Sequence, residues 1–251
     1  WAAENGIKLD FNSTSFSHPK SGSLSLANPD PEIRKFWVEH TKRCRAIAEE
    51  MGRRQGDPAI LNIWVHDGSK DMTVNRLKYR ELLKESLDEI FETKYENMKD
   101  CIEAKLFGIG AESYTVGSYD FYLGYGAKNG KIVTLDTGHF HLTESIADKV
   151  SSLLLFTPEI MLHVSRPIRW DSDHVVIMND DTLDLAKEIM DGFYARNEEL
   201  KNGKPRRRLW GTRIKKFDGR WFPNVLEVET LGSGHRTKII VDDLKVAVPA
   251  R

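Results

Sequence analysis

Residues 131–164 read KIVTLDTGHFHLTESIADKVSSLLLFTPEIMLHV. An apolar, β-branched run at 131–136 is followed by a helix-periodic stretch at 143–155, which Thr143 is placed to cap, and then by a second apolar run at 159–164. Strand, helix, strand in that order is the pattern of a βαβ unit, whose two strands run parallel. The same alternation extends outward. Strand candidates at 7–11, 60–65, 104–109 and 174–178 are interleaved with helix candidates at 31–51, 71–93 and 181–200, the last opened by Asp181. Within 71–93, Leu83, Leu87, Ile90 and Phe91 recur at helical spacing and form one apolar stripe. The expected class is α/β, a partial (β/α)8 barrel of the TIM type over residues 1–200. A full barrel takes about 250 residues, roughly 31 per unit, so about 190 residues supply roughly six units.

Beyond residue 200 the pattern changes. Residues 201–205 (KNGKP) read as a linker. Strand-like runs at 208–217, 221–230 and 237–241 follow, joined by Asp218-Gly219 and by a glycine turn at 232–234, which is the grammar of an antiparallel meander. Residues 201–251 are therefore expected to form a separate basic linker and β-rich tail. Charge marks the same division: 201–251 hold 13 Lys and Arg against 5 Asp and Glu, whereas the first 200 residues hold 24 against 33. Over all 251 residues 37 basic side chains face 38 acidic ones, and no apolar window approaches the ~18 residues of a membrane span. Cys44 and Cys101 are too few for a disulfide framework, which points to a reducing, cytoplasmic setting. The chain begins at Trp1 without an initiator Met and reads as a fragment.

Chemistry-bearing residues collect near the strand candidates. Glu103 and Lys105 flank the start of 104–109, Asp136 and His139 close 131–136 as Asp-x-x-His, His163 ends 159–164, and Asp171 and Asp173 sit in the loop after Trp170. In parallel α/β folds, binding residues gather at the C-terminal ends of the strands. Carboxylates mixed with imidazoles suit a divalent ion such as Mn²⁺, Mg²⁺ or Co²⁺, and the lack of clustered cysteines excludes structural zinc and iron–sulfur sites. Each part alone has a bland reading: His163 as a core histidine, Asp171 and Asp173 as turn acids. Trp64, Phe140, Tyr119 and Trp170 are candidate walls for a sugar, or simply core. His66 and Asp67 follow 60–65 without an assignable role. Gly108-x-Gly110 lacks the third glycine of a dinucleotide fingerprint, and Arg206-Arg207-Arg208 reads as a solvated run, so no nucleotide or nucleic-acid partner is expected.

Several long strings resemble the L-rhamnose isomerase family: residues 62–68 (NIWVHDG), 104–118 (AKLFGIGAESYTVGS), 135–141 (LDTGHFH) and 162–174 (LHVSRPIRWDSDH), with 9–12 and 16–19 at the front. The resemblance covers about residues 1–190. It implies a metal-dependent aldose–ketose isomerase that converts L-rhamnose to L-rhamnulose in rhamnose metabolism, with two Mn²⁺ or similar ions. Glu103, Asp136 and His163 would hold a structural metal, and His139, Asp171 and Asp173 a catalytic one. Lys105 would lie at the sugar's O1, while Trp64 would line the pocket. Two cations clamping neighbouring oxygens, with an ammonium nearby, suit hydrogen movement between C1 and C2, by hydride transfer or through an enediol.

The chain departs from that family where a further carboxylate ligand is expected after 181–200, since no matching Asp is found. The tail from about residue 206 weakly resembles outer-membrane lipoprotein-sorting proteins of the LolA type, which are periplasmic lipid carriers. The alternatives are therefore an inactive remnant of the isomerase, or a carrier module defined by the tail. A homo-oligomer fits the partial barrel.

Overall fold

Pro31 presets φ for a first helical turn, and the Asp30 side chain before it accepts a 2.9 Å hydrogen bond from the Glu32 amide. Helix α1 (Pro31–Gln55) starts there and ends at Gly56, whose φ of 67° is the left-handed geometry glycine adopts at little cost. In this structure, a computed structural model, residues 1–105, 113–141, 143–165, 176–195, 197–201, 204–217, 220–230 and 233–242 are described. They fall into two compact units, Trp1–Glu144 with Phe156–Ile177, and Ser145–Leu155 with Met178–Arg251.

The first unit is built on five parallel strands: β1 (Phe11–Ser13), β2 (Ala59–Trp64), then β4 (Met98–Glu103), β6 (Ile132–Asp136) and β7 (Ile160–His163), adjacent in that order. A two-stranded antiparallel pair, β3 (Gly68–Ser69) and β5 (Tyr114–Thr115), lies apart from that sheet. Helix α1 follows β1, α2 (Arg76–Ile90) precedes β4, and α3 (Tyr119–Asn129) precedes β6. Period-two alternation sorts the strand residues. Leu61, Ile63, Ile102, Val133 and Leu135 alternate with Asn62, Trp64, Glu103, Thr134 and Asp136. The first set is fully buried, and Leu61, Ile63 and Ile102 share one core cluster with Trp37, Val38 and Ala48 of α1 and with Leu83, Leu87 and Ile90 of α2. The second set is buried too but, Trp64 apart, polar, so the sheet carries an apolar face and a largely polar one. Gly52 lets α1 approach closely: a Cβ there would stand 1.7 Å from the Asn97 carbonyl oxygen.

In the second unit α4 (Ala147–Leu154) packs on α5 (Asp180–Ala195), and α5 packs on an antiparallel sheet of β8 (Asn197–Lys201), β9 (Lys204–Phe217), β10 (Arg220–Thr230) and β11 (His235–Ile240). No helix among the described residues is long and apolar enough to cross a membrane.

Several boundaries differ from the sequence expectation. Of the strand expected at 104–109, residues 104 and 105 are not in a strand and 106–109 lie outside the described residues; Glu103 ends β4. Lys99 and Asp100 disguise it, since Asp100 is a buried charge paired with Arg45 at 2.8 Å. The first strand begins only at Phe11 because the Asp10 side chain, at 2.7 Å, takes the Ile60 amide that a strand neighbour would use. Helix α3 was not foreseen, its sequence carrying Gly124 and Gly126; a Cβ at Gly126 would press 2.7 Å from Val133. Of the strand expected at 174–178, residues 176–178 are not extended into a sheet, and 174 and 175 lie outside the described residues. The helix expected over 181–200 stops at Ala195, and 197–201 pair instead with 204–209 across the hairpin, so the expected linker is largely strand.

Candidate metal centre

Trp64, Glu103, Asp136 and His163 each occupy the last residue of a parallel strand, on its polar face. Strand register therefore delivers them to one end of the sheet, and Asp136 is the direct neighbour of His163 across the β6–β7 pair. Glu103 and Asp136 are 3% and 1% exposed, so two carboxylates are held side by side out of water. His163 Nδ1 lies 2.8 Å from Asp136 Oδ2 and 3.7 Å from Glu103 Oε1. Three residues beyond Asp136, the chain turns back through a hydrogen bond from the His139 amide to the Asp136 carbonyl at 3.1 Å. That turn brings His139 Nδ1 to 3.3 Å from Glu103 Oε1 and 3.4 Å from Asp136 Oδ2. Ligand atoms of Glu103, Asp136 and His139 all lie within 4.8 Å of one another.

The two buried carboxylates are shifted in opposite directions. Burial pushes the Glu103 carboxyl up, but hydrogen bonds from His139 and His163 outweigh it and hold the group well below the usual carboxylate range. Burial raises Asp136 instead, against the opposing pull of His163. His163 is pushed up to about 10 by Asp136 and then Glu103. Asp136 Oδ1 accepts from the Gly138 amide at 2.7 Å, whereas the buried Oδ2 accepts no aligned hydrogen bond despite its nearness to His163. An anionic oxygen left so is what a cation satisfies.

The two nitrogens of His139 are used differently. Nδ1 lies 2.9 Å from the Ala104 carbonyl, which only accepts, so Nδ1 carries the proton. Nε2 then presents its lone pair, 3.0 Å from Lys105 Nζ. Imidazole held by a backbone carbonyl on one nitrogen, with the lone pair of the other directed away from it, is the usual arrangement of a metal-ligating histidine; here that lone pair is met by Lys105. Lys105 is buried, and its ammonium sits 4.8 Å from the centroid of the Trp64 ring. Trp64 in turn takes the edge of Phe16 at 5.3 Å. Phe140 is buried edge-on against Tyr119, ring centroids 5.1 Å apart. Asp171, Asp173 and Trp170 lie outside the described residues, as does Gly108-x-Gly110.

Sequence reasoning passed over several residues that organise this end of the sheet. Asn62 donates through Nδ2 to Glu103 Oε2, and its Oδ1 accepts from Thr134 Oγ1 at 2.9 Å. Thr137 joins two ligand-bearing turns: its amide donates to the His163 carbonyl at 2.9 Å, and its hydroxyl accepts from the Ser165 amide at 2.8 Å. Their signal was present in the period-two register, which puts Asn62 and Thr134 on the same face as Trp64 and Glu103. His66 and Asp67 also acquire a role. Asp67, fully buried, accepts from the Ser25 amide, the Ser25 hydroxyl and the Ala27 amide, each at 2.6 Å. His66 meets Ser15 Oγ at 3.2 Å and the Gly22 carbonyl at 3.0 Å, so together they strap 15–27 to the exit of β2. A separate cleft of about 540 Å³ lies at the opposite end of the strands, around Arg45, Asp100 and Lys131, and none of the candidate ligands lines it.

The family model of L-rhamnose isomerase (RhaA) matches residues 1–202. The chain is 75% identical over 190 residues to an L-rhamnose isomerase of Bacteroides thetaiotaomicron, an alignment covering 76% of this chain and 46% of that protein. It is 52% identical over 193 residues to that of Listeria monocytogenes serotype 4a and 51% over 193 to that of Pectobacterium carotovorum, with coverage of 76% and 46% in both. The chain thus spans about half the length of the curated relatives it matches.

Proposed function

The chain belongs to the L-rhamnose isomerase family, and from that premise we propose that it supplies the cation-binding part of an aldose–ketose isomerase converting L-rhamnose to L-rhamnulose. The observation that carries the reading is the convergence of Glu103, Asp136, His139 and His163 at one end of a parallel sheet, with Asp136 Oδ2 buried and lacking an aligned hydrogen bond. The sheet order, β1-β2-β4-β6-β7, follows chain order, which supports a (β/α)8 barrel over a doubly wound sheet. Two free, buried cysteines agree with a cytoplasmic setting.

In this reading Glu103, Asp136 and His163 hold one divalent ion, and His139 through Nε2, with Asp171 and Asp173, holds the other. The ligand set of mixed carboxylate and imidazole suits Mn²⁺ or Co²⁺, with Mg²⁺ a harder alternative. Bound divalent ions polarise the sugar's carbonyl and alkoxide oxygens. The chain's own residues do the rest. Lys105, held between Trp64 and His139, presents its ammonium to the developing negative charge at O1. Trp64 offers an apolar face against the sugar's C–H surface, and Phe140, packed on Tyr119, is a second candidate to line the pocket.

The test is isothermal titration of the chelator-stripped chain with MnCl₂ and CoCl₂, alongside a ketose assay on L-rhamnose. Expected is cation uptake that Asp136→Asn and Glu103→Gln each weaken at least about 10-fold, with ketose formed only when cation is present. A folded chain that takes up no cation, or whose uptake is indifferent to Asp136→Asn, overturns the reading.

A further inference from the structure

Glu103 has two oxygens with different surroundings. Oε1 faces His139 and His163 at 3.3 and 3.7 Å. Oε2 points the other way and is taken by the Asn62 amide. Asn62 cannot turn over, because its carbonyl would then confront the carboxylate; Thr134, donating to Asn62 Oδ1 at 2.9 Å, holds the amide as it stands. Asn62 and Thr134 are 4% and 1% exposed, so no bulk water competes for these bonds. The amide is therefore a fixed, buried lock on one of the two carboxylate oxygens.

Resting on the metal-centre reading above, we propose that Asn62 selects the ion: by keeping Glu103 Oε2 out of coordination it makes Glu103 a one-oxygen ligand and biases the centre against calcium. Calcium gathers six to eight oxygens and commonly draws both oxygens of a carboxylate, at 2.3–2.6 Å. Smaller transition ions are content with about six donors, imidazole among them, and do not need the second oxygen. Freeing Oε2 gives calcium a donor that it values and cobalt does not. Asn62 thus acts through Glu103, as a positioning residue with a selectivity that packing alone does not confer.

The experiment compares the wild-type chain with Asn62→Ala and with Thr134→Val, which keeps the shape of the side chain while releasing the amide. Each is stripped with chelator and titrated with CoCl₂, and calcium is then titrated against the cobalt complex while its visible absorption is followed. The expected result is that the calcium-to-cobalt ratio of Kd values falls about 10-fold in Asn62→Ala, and falls in the same direction, by less, in Thr134→Val. A purely structural role lowers both affinities together and leaves the ratio where it was. An unchanged ratio in folded Asn62→Ala overturns the proposal, and Thr134→Val decides on the same criterion should Asn62→Ala not fold. A wild-type chain that binds no cobalt removes the metal centre itself and this inference with it, whereas cobalt binding with an unchanged ratio removes the inference alone.

Discussion

Replacing Asp100 with alanine strips the counter-ion from a guanidinium sealed inside the first unit. The Arg45 and Asp100 side chains are 2% and 6% exposed, and two parallel bonds join them, from Nε at 2.8 Å and Nη2 at 3.0 Å. Arg45 also donates to the Ile90 carbonyl and, at 2.8 Å, to the Thr93 carbonyl, so it cannot swing out without breaking the end of α2. Lys131, 2.7 Å from Asp100 and 18% exposed, can turn to solvent and adds little to the loss. Breaking a buried pair by removing one partner costs about 3–5 kcal/mol, because the other charge stays buried and uncompensated. With a urea m-value of about 2 kcal/mol/M, the unfolding midpoint should fall by about 2 M. Urea titration followed by circular dichroism and by the fluorescence of buried Trp37 measures it. Arg45→Met in the Asp100→Ala background should cost at least about 2 kcal/mol less than in the wild type, since the stranded charge is then gone. A midpoint shift below about 0.5 M, or strict additivity of the two substitutions, would refute the claim that this pair anchors the foot of β4.

Gly52→Ala forces a methyl to 1.7 Å from one backbone atom and 2.8 Å from two others, so a loss of about 3 kcal/mol is expected in a thermal melt. Asp67→Asn places an N–H₂ against either the Ser25 donors or the Ala27 amide, since only one oxygen remains, and should cost about 2 kcal/mol; hydrogen exchange should quicken at one or both of those amides and stay unchanged at Ile102. In the presence of chelator, His163, raised to about 10, contributes stability fully present below its ordinary 6.5 and lost as pH climbs through about 10. Its partly exposed ring makes the effect small. The melting temperature of the wild type should therefore converge on that of His163→Gln as pH rises, and a constant gap would count against it.

The alternation of strands with helices was legible because β2 and β6 are short, mostly apolar and β-branched runs, and because Leu83, Leu87 and Ile90 of α2 form a clean stripe. Glu103, Asp136, His139 and His163 stand out in the sequence as candidate ligands by residue type, and the structure puts Glu103 at the end of β4. A charge neutralised at long range, as Asp100 is by Arg45, looks like a surface residue in one dimension. Asn62, Thr134 and Thr137 are silent for a related reason: uncharged side chains announce nothing until a partner strand is set beside them. The change of architecture after 200 showed in the Asp-Gly turn, but α5 ends at Ala195 and the sheet begins at Asn197, ahead of the composition shift.

Thr137 carries a consequence for how such a centre tolerates change. Since it ties the exit of β6 directly to the exit of β7, the separation of Asp136 and His163 is set by that short stitch and not by the 25 residues of chain between Thr137 and His163. Lengthening or shortening the chain between residues 143 and 158 is therefore expected to leave Asp136 and His163 at the same spacing.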